Sequence, residues 1–132
     1  MTTFKFKYLN NYTNHGQNAE QSVRFELTGE LTKADNIRYD LGADCLNYQI
    51  KSARATICKG TDLRAYLELD ASTAYIYASN DGIAYVMTKA EYIEFCESFA
   101  TVTTDSAKNG SNAKLRLKSE GKTMREWLEA RA

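Results

Sequence analysis

Two apolar runs, Thr73–Tyr77 and Ile83–Met87, flank the tripeptide Asn80-Asp81-Gly82. Asp-Gly suits the tight turn whose twist matches that of two antiparallel strands, so this stretch predicts a hairpin with a loop of about two to four residues. A chain built around such a hairpin is not all-helical. Other segments repeat with a helical period. Ala19, Val23 and Leu27 recur at four-residue spacing across Gln17–Leu27, and Gly29 follows as a C-cap. Leu63, Tyr66 and Leu67 share one helical face within Asp62–Asp70. Thr88-Lys89-Ala90-Glu91 has the capping-box pattern and opens a helix to about Phe99, with Ile93, Cys96 and Ala100 on one side. Thr123-Met124-Arg125-Glu126 repeats that pattern and predicts a short last helix with Met124, Trp127 and Leu128 inward.

Period-two alternation marks further strands. Phe4, Phe6 and Tyr8 alternate with Lys5 and Lys7. Tyr48–Ile57 predicts one long strand, with Tyr48, Ile50 and Ser52 on one face and Gln49, Lys51 and Ala53 on the other. Thr101–Thr104 is a short candidate strand, and the polar stretch Asn10–Gly16, which holds His15, reads as a loop. Leu115 and Leu117 alternate with Lys114, Arg116 and Lys118, which predicts a strand with one cationic face. The expected fold is α/β in the mixed α+β sense: five or six strands with helices before, between and after them. At 132 residues, with no proline and no repeat, one domain over 1–132 is expected.

No run of about 18 apolar residues is present, so no membrane-spanning helix is expected. Met1–Lys7 lacks an apolar signal core, and the expected location is the cytoplasm. Cys45, Cys58 and Cys96 are widely spaced and accompanied by one histidine, His15, which fits no zinc pattern; free thiols are expected. The chain carries 17 Lys and Arg against 17 Asp and Glu, so its net charge is zero. The charges are unevenly spread. Residues 60–107 hold 2 basic against 8 acidic side chains, and residues 108–132 hold 7 against 3. The basic C-terminal segment fits contact with phosphates, and the acidic middle fits a protein-binding surface.

The residues with the most chemistry lie between Glu20 and Lys51. Glu20 sits on the first predicted helix, Asp44 follows Gly42-Ala43, and Gln49 and Lys51 share a strand face. Cleaving a phosphodiester at neutral pH calls for a hard cation, a polarised water and positive charge against the developing anion. Mg²⁺ (or Mn²⁺) takes oxygen donors and keeps several waters. Asp44 would be its central ligand, with the Ile50 carbonyl, the Gln49 amide oxygen and Glu20 as further donors. Lys51 would orient or help deprotonate the attacking water. Asp40, nine residues before Gln49, is the substitute acid should Asp44 lie elsewhere. Simpler readings exist for the same residues. Glu20 and Arg24 fit an i,i+4 surface pair, and Lys114, Arg116 and Lys118 fit a solvated strand face.

Glu20, Asp44 and Gln49-Ile50-Lys51-Ser52 together resemble the motif of the PD-(D/E)xK nuclease superfamily, in a variant with Gln where an acid is commoner. The resemblance covers roughly residues 16–57. It implies a restriction-endonuclease-like fold, a central mixed sheet flanked by helices, with the acid and the x-Lys pair on adjoining strands. It further implies a Mg²⁺-dependent endonuclease acting on DNA, of a restriction, phage-defence or mobile-element kind, and working as a homodimer. Lys108, Lys114, Arg116 and Lys118 are the expected nucleic-acid contacts. Two other functions fit the chain: a nucleic-acid-binding domain of the same fold with a weakened metal site, and a non-enzymatic interaction or inhibitor domain.

Overall fold

The computed structural model describes residues 1–10, 14–29, 39–41, 46–53, 56–59, 68, 72, 74–102 and 114–132. It is a mixed α+β fold. The strands are β1 (Thr2–Lys5), β2 (Tyr39–Leu41), β3 (Leu46–Ser52), β4 (Thr56–Lys59), β5 (Ala74–Ala78), β6 (Ile83–Met87), β7 (Ala100–Val102) and β8 (Lys114–Leu117). The helices are α1 (His15–Thr28), α2 (Lys89–Phe99) and α3 (Lys122–Arg131). Of the helix expected over Asp62–Asp70, only Glu68 is among the described residues, where it is helical and exposed, and the loop around Asn109-Gly110 lies outside them.

Five strands form the main sheet in the order β1-β6-β5-β3-β2. Every neighbouring pair is antiparallel except β3 and β5, which run parallel. The β5–β6 hairpin is therefore the centre of the sheet. Strands buried on both faces read as nearly unbroken apolar runs, and Ala74–Ala78 and Ile83–Met87 have that composition. Alternation splits their side chains between two cores. Ile76, Ala78 and Ala84 join Ile50 and Phe6 under Ala19 and Val23 of α1. Tyr75, Tyr77, Tyr85 and Met87 point the other way, against α2 and α3. There the Tyr75 ring stacks on Tyr92 at 4.4 Å between centroids, and Phe95 packs on Tyr77 at 5.0 Å. The main sheet thus lies between α1 on one side and α2 with α3 on the other.

Gly82 makes the hairpin turn possible. Its φ of 82° is in the left-handed region, and a Cβ there would stand 2.7 Å from the Phe6 carbonyl oxygen. That approach exists because Phe6 donates its N–H to the Gly82 carbonyl at 2.9 Å. The first strand accordingly stops at Lys5, short of the alternation that runs on to Tyr8. Tyr8 instead donates its hydroxyl to the Ser79 carbonyl at 2.7 Å.

The helix predicted over Gln17–Leu27 is present, with an earlier start. α1 begins at His15 because the Asn14 side chain accepts from the Gln17 N–H, so His15 is helical and stacks on Tyr8 at 5.8 Å instead of lying in a loop. Gly29 closes α1 in the left-handed conformation. Thr88 and Glu91 form the expected capping box at the start of α2. The second capping box does not form. α3 starts at Lys122 after Gly121, which offers no side-chain cap, so Thr123 lies inside the first turn. Glu126 faces Lys122 one turn away at 3.8 Å. Met124 and Leu128 point into the core as expected, and Trp127 is half-buried.

The strand expected over Tyr48–Ile57 is two strands in two sheets. β3 ends at Ser52, opposite Ala78. Three residues later the chain enters a second sheet, ordered β4-β8-β7 and antiparallel throughout. Periodicity alone cannot show that break, because Ala53-Arg54-Ala55 carries no strong turn residue. Leu117 of β8 is buried with the α2–α3 core and Leu115 packs against it, while Arg116 and Lys118 are exposed.

Candidate functional site

The Gln49–Lys51 stretch is held by α1 and by β5, and β2 pairs with the residues just before it. Ile50 is fully buried under α1 and anchors the strand by its side chain. β5 pairs along the inner edge, with Gln49 opposite Tyr75 and Lys51 opposite Tyr77. β2 pairs along the outer edge over Leu46–Tyr48, with Asp40 opposite Asn47. Gln49 and Lys51 are half-buried. Side chains alternate along a strand, so Gln49 and Lys51 belong to the face of β3 opposite Ile50 and α1. Asn47 falls in the same alternate set, and Asp40 is its ladder partner. Thus an acid position on β2 stands across from, and two residues before, the Gln49-x-Lys51 pair.

Glu20 belongs to α1, in the layer behind Ile50. Helix and strand pair therefore lie on different faces of β3. They are nonetheless electrostatically linked. Burial pushes the Glu20 carboxyl up to about 7, and the Lys51 charge pulls it in the opposite direction. A carboxylate removed from water loses hydration that its ionised form needs, which is why the desolvation dominates. Around Glu20 the first half of α1 is packed nearly all round. Asn18, Ala19, Gln21, Ser22 and Val23 are buried, whereas Phe25 and Leu27 are exposed. Leu27 therefore does not join Ala19 and Val23 in the core, as its spacing predicted.

Asp44 and Lys108 lie outside the described residues. Lys114 is on β8, opposite Lys59 of β4. Among the described residues no three His, Cys, Asp or Glu side chains gather as metal ligands would. The donors on β3 are hard oxygens, the Gln49 amide and the Ile50 carbonyl, with the Glu20 carboxyl apart from them on α1. Such a set suits Mg²⁺ or Mn²⁺ rather than a softer ion. Cys96 forms no disulfide and is buried in the α2 core, away from this strand.

A second polar cluster sits at the far end of the β5–β6 hairpin and was not foreseen. Glu120 accepts the Tyr77 hydroxyl at 2.7 Å and the Asn80 N–H at 2.8 Å. Ser79 donates its hydroxyl to Asp81 and accepts the Ile83 N–H at 3.0 Å. Burial, then the charges of Glu120 and Asp81, push Tyr8 up to about 12. For Tyr77, burial and the Glu120 hydrogen bond push in the same direction. These tyrosines stay neutral, and Glu120 ties the segment before α3 to the hairpin. The cluster is a structural latch. A Ser-Glu-Gly tripeptide ahead of a helix gives no sequence signal for it.

No family model matches the chain, and no curated protein or solved structure matches it.

Proposed function

We propose that the chain is a metal-dependent endonuclease that hydrolyses phosphodiester bonds in DNA. The observation that carries the reading is the ladder register of β2 and β3. With Asp40 opposite Asn47, an acid on one strand and the Gln49-x-Lys51 pair on its neighbour fall in the same alternate set. The PD-(D/E)xK motif has its acid and its x-Lys pair on adjoining strands, and this register supports Asp40 as the substitute central acid.

Asp40 or Asp44, the Gln49 amide oxygen and the Ile50 carbonyl would hold the cation; Glu20, on α1 behind the other face of β3, stands outside that set. A bound divalent ion there supplies Lewis acidity toward the phosphoryl oxygen and a more acidic water. Lys51 offsets the negative charge that builds on the phosphorane oxygens and orients the attacking water. Half-burial of Lys51 strengthens that effect, because charge acts more strongly away from bulk water. Gln49 is a neutral donor, so metal affinity is lower than with an acid at that position.

Cleavage of supercoiled plasmid with Mg²⁺ or Mn²⁺ tests the reading, run on wild type, Asp40→Asn and Asp44→Asn. The variant of the central acid loses about 10²-fold or more in rate, and the other retains most of it. Absence of cleavage by wild type with either metal would remove the enzymatic reading. DNA binding that persists without cleavage would then favour a binding domain with a weakened site.

A further inference from the structure

The main sheet ends at β1, and no described strand pairs along its outer side. The ladder with β6 fixes which backbone groups face that side. Phe6 donates its N–H to the Gly82 carbonyl, and Phe4 stands opposite Ala84 in the same register. In an antiparallel pair the N–H and C=O of one residue point to the same side, and neighbouring residues alternate. Thr2, Phe4 and Phe6 therefore turn their amides to β6. Thr3 and Lys5 turn theirs outward, each with one donor and one acceptor.

The side chains along this edge divide by chemistry. Phe4, Phe6 and Tyr8 pack toward α1, so Thr3, Lys5 and Lys7 belong to the opposite face, and all three are exposed. Neither Lys5 nor Lys7 makes an ion pair or a hydrogen bond with another described residue. Lysines on an edge strand discourage association of like edges. Pairing β1 with a second copy would bring four lysines, two from each chain, onto one face, and like charges so placed destabilise a sheet. The same arrangement favours a strand of opposite charge. A segment laid antiparallel along β1 would share four main-chain hydrogen bonds with Thr3 and Lys5. Its residues opposite Lys5 and Lys7 would stand beside the two ammonium groups, where Asp or Glu pairs well. The residue opposite Phe4 would fall on the other face, next to a half-buried ring at the rim of the α1 core, where an apolar side chain fits.

We propose that the outer edge of β1 is a docking site for an extended segment of a partner protein that alternates acidic and apolar residues, added as a sixth strand to the five-stranded main sheet. The inference goes beyond the nuclease reading and does not depend on it. Main-chain hydrogen bonds supply affinity, and the two lysines choose the partner by attracting acid and repelling a second copy.

The test is titration of the full ¹⁵N-labelled chain with the capped peptide Glu-Val-Glu-Val-Thr-Val, followed by NMR. Binding shifts the Thr3 and Lys5 amide resonances and slows their exchange with solvent. A peptide N-methylated at the two residues opposite Thr3 and Lys5 keeps its charge but loses two donors, and binds roughly 10-fold or more weakly. Lys5→Gln/Lys7→Gln weakens the unmodified peptide roughly 10-fold. Lys5→Glu/Lys7→Glu prefers Lys-Val-Lys-Val-Thr-Val instead. Both variants change exposed side chains and keep the wild-type spectrum away from β1. Equal binding of the N-methylated peptide overturns the proposal, since charge attraction alone would then hold the ligand. No binding by wild type, or a charge-reversed variant without the reversed preference, overturns it as well. Duplex DNA of equal charge displacing the peptide equally well would reassign the edge to phosphates. Concentration-dependent broadening of Thr3 and Lys5 without peptide would make a second copy the occupant.

Discussion

Glu20 is the side chain whose environment departs furthest from its sequence appearance. Beside Arg24 it reads as half of an exposed helical pair, yet it is half-buried and its carboxyl titrates near 7 instead of near 4.5. The folded protein therefore holds this proton more tightly than the unfolded chain does. Between pH 4.5 and 7 the folded state binds more protons, so stability falls as pH rises through that window and levels off above it. Glu20→Gln keeps the shape and removes the titration. At pH 8 the variant is expected to be more stable than wild type by about 1 kcal/mol, a figure already reduced for solvent screening of a half-exposed group. At pH 4 the two are expected to match. Urea midpoints at both pH values check this; an identical pH profile for the two proteins would mean that Glu20 is not desolvated as described.

Helix termini separate what local sequence can reveal from what it cannot. Thr88 and Thr123 carry the same four-residue pattern, and Thr88 alone caps a helix. Thr88→Ala is expected to cost about 1 kcal/mol, because it removes the acceptor for the Glu91 N–H. Thr123→Ala is expected to stay within about 0.5 kcal/mol, since Thr123 is exposed within the first turn of α3. Comparable losses from both would contradict the observed start of α3. The same contrast runs through the rest of the fold. The Asn80-Asp81-Gly82 hairpin, the Gly29 cap and the inward Leu115 and Leu117 were legible, because each depends on neighbours in sequence. The break between β3 and β4 was not, and neither was the departure of Leu27 from the core. Both depend on which distant strand or layer is present to pair with or cover the residue. At the site, the shared face of Gln49 and Lys51 was legible from alternation. The register that brings Asp40 opposite Asn47, and the separation of Glu20 onto the other face of β3, follow from long-range pairing and packing that no local period encodes.

At the scale of the whole molecule, a main sheet packed on both faces carries the strand pair of the proposed site, and a small sheet follows it in the chain. The parallel pairing of β3 with β5 locks the Gln49–Lys51 strand against the buried β5–β6 hairpin. That rigidity suits a site in which an error of about 1 Å in position costs on the order of 10²-fold in rate. Gln49 is the point at which the donor set is weakest, so Gln49→Glu is expected to tighten Mg²⁺ binding, read by calorimetry. Unchanged or weaker affinity would remove Gln49 from the ligand set. The central claim rests on Lys51. Single-turnover cleavage of a duplex with saturating Mg²⁺ should proceed in wild type and fall by about 10²-fold or more in Lys51→Ala, with both proteins equally folded. Equal rates in the two proteins, or no cleavage in either, would contradict the account.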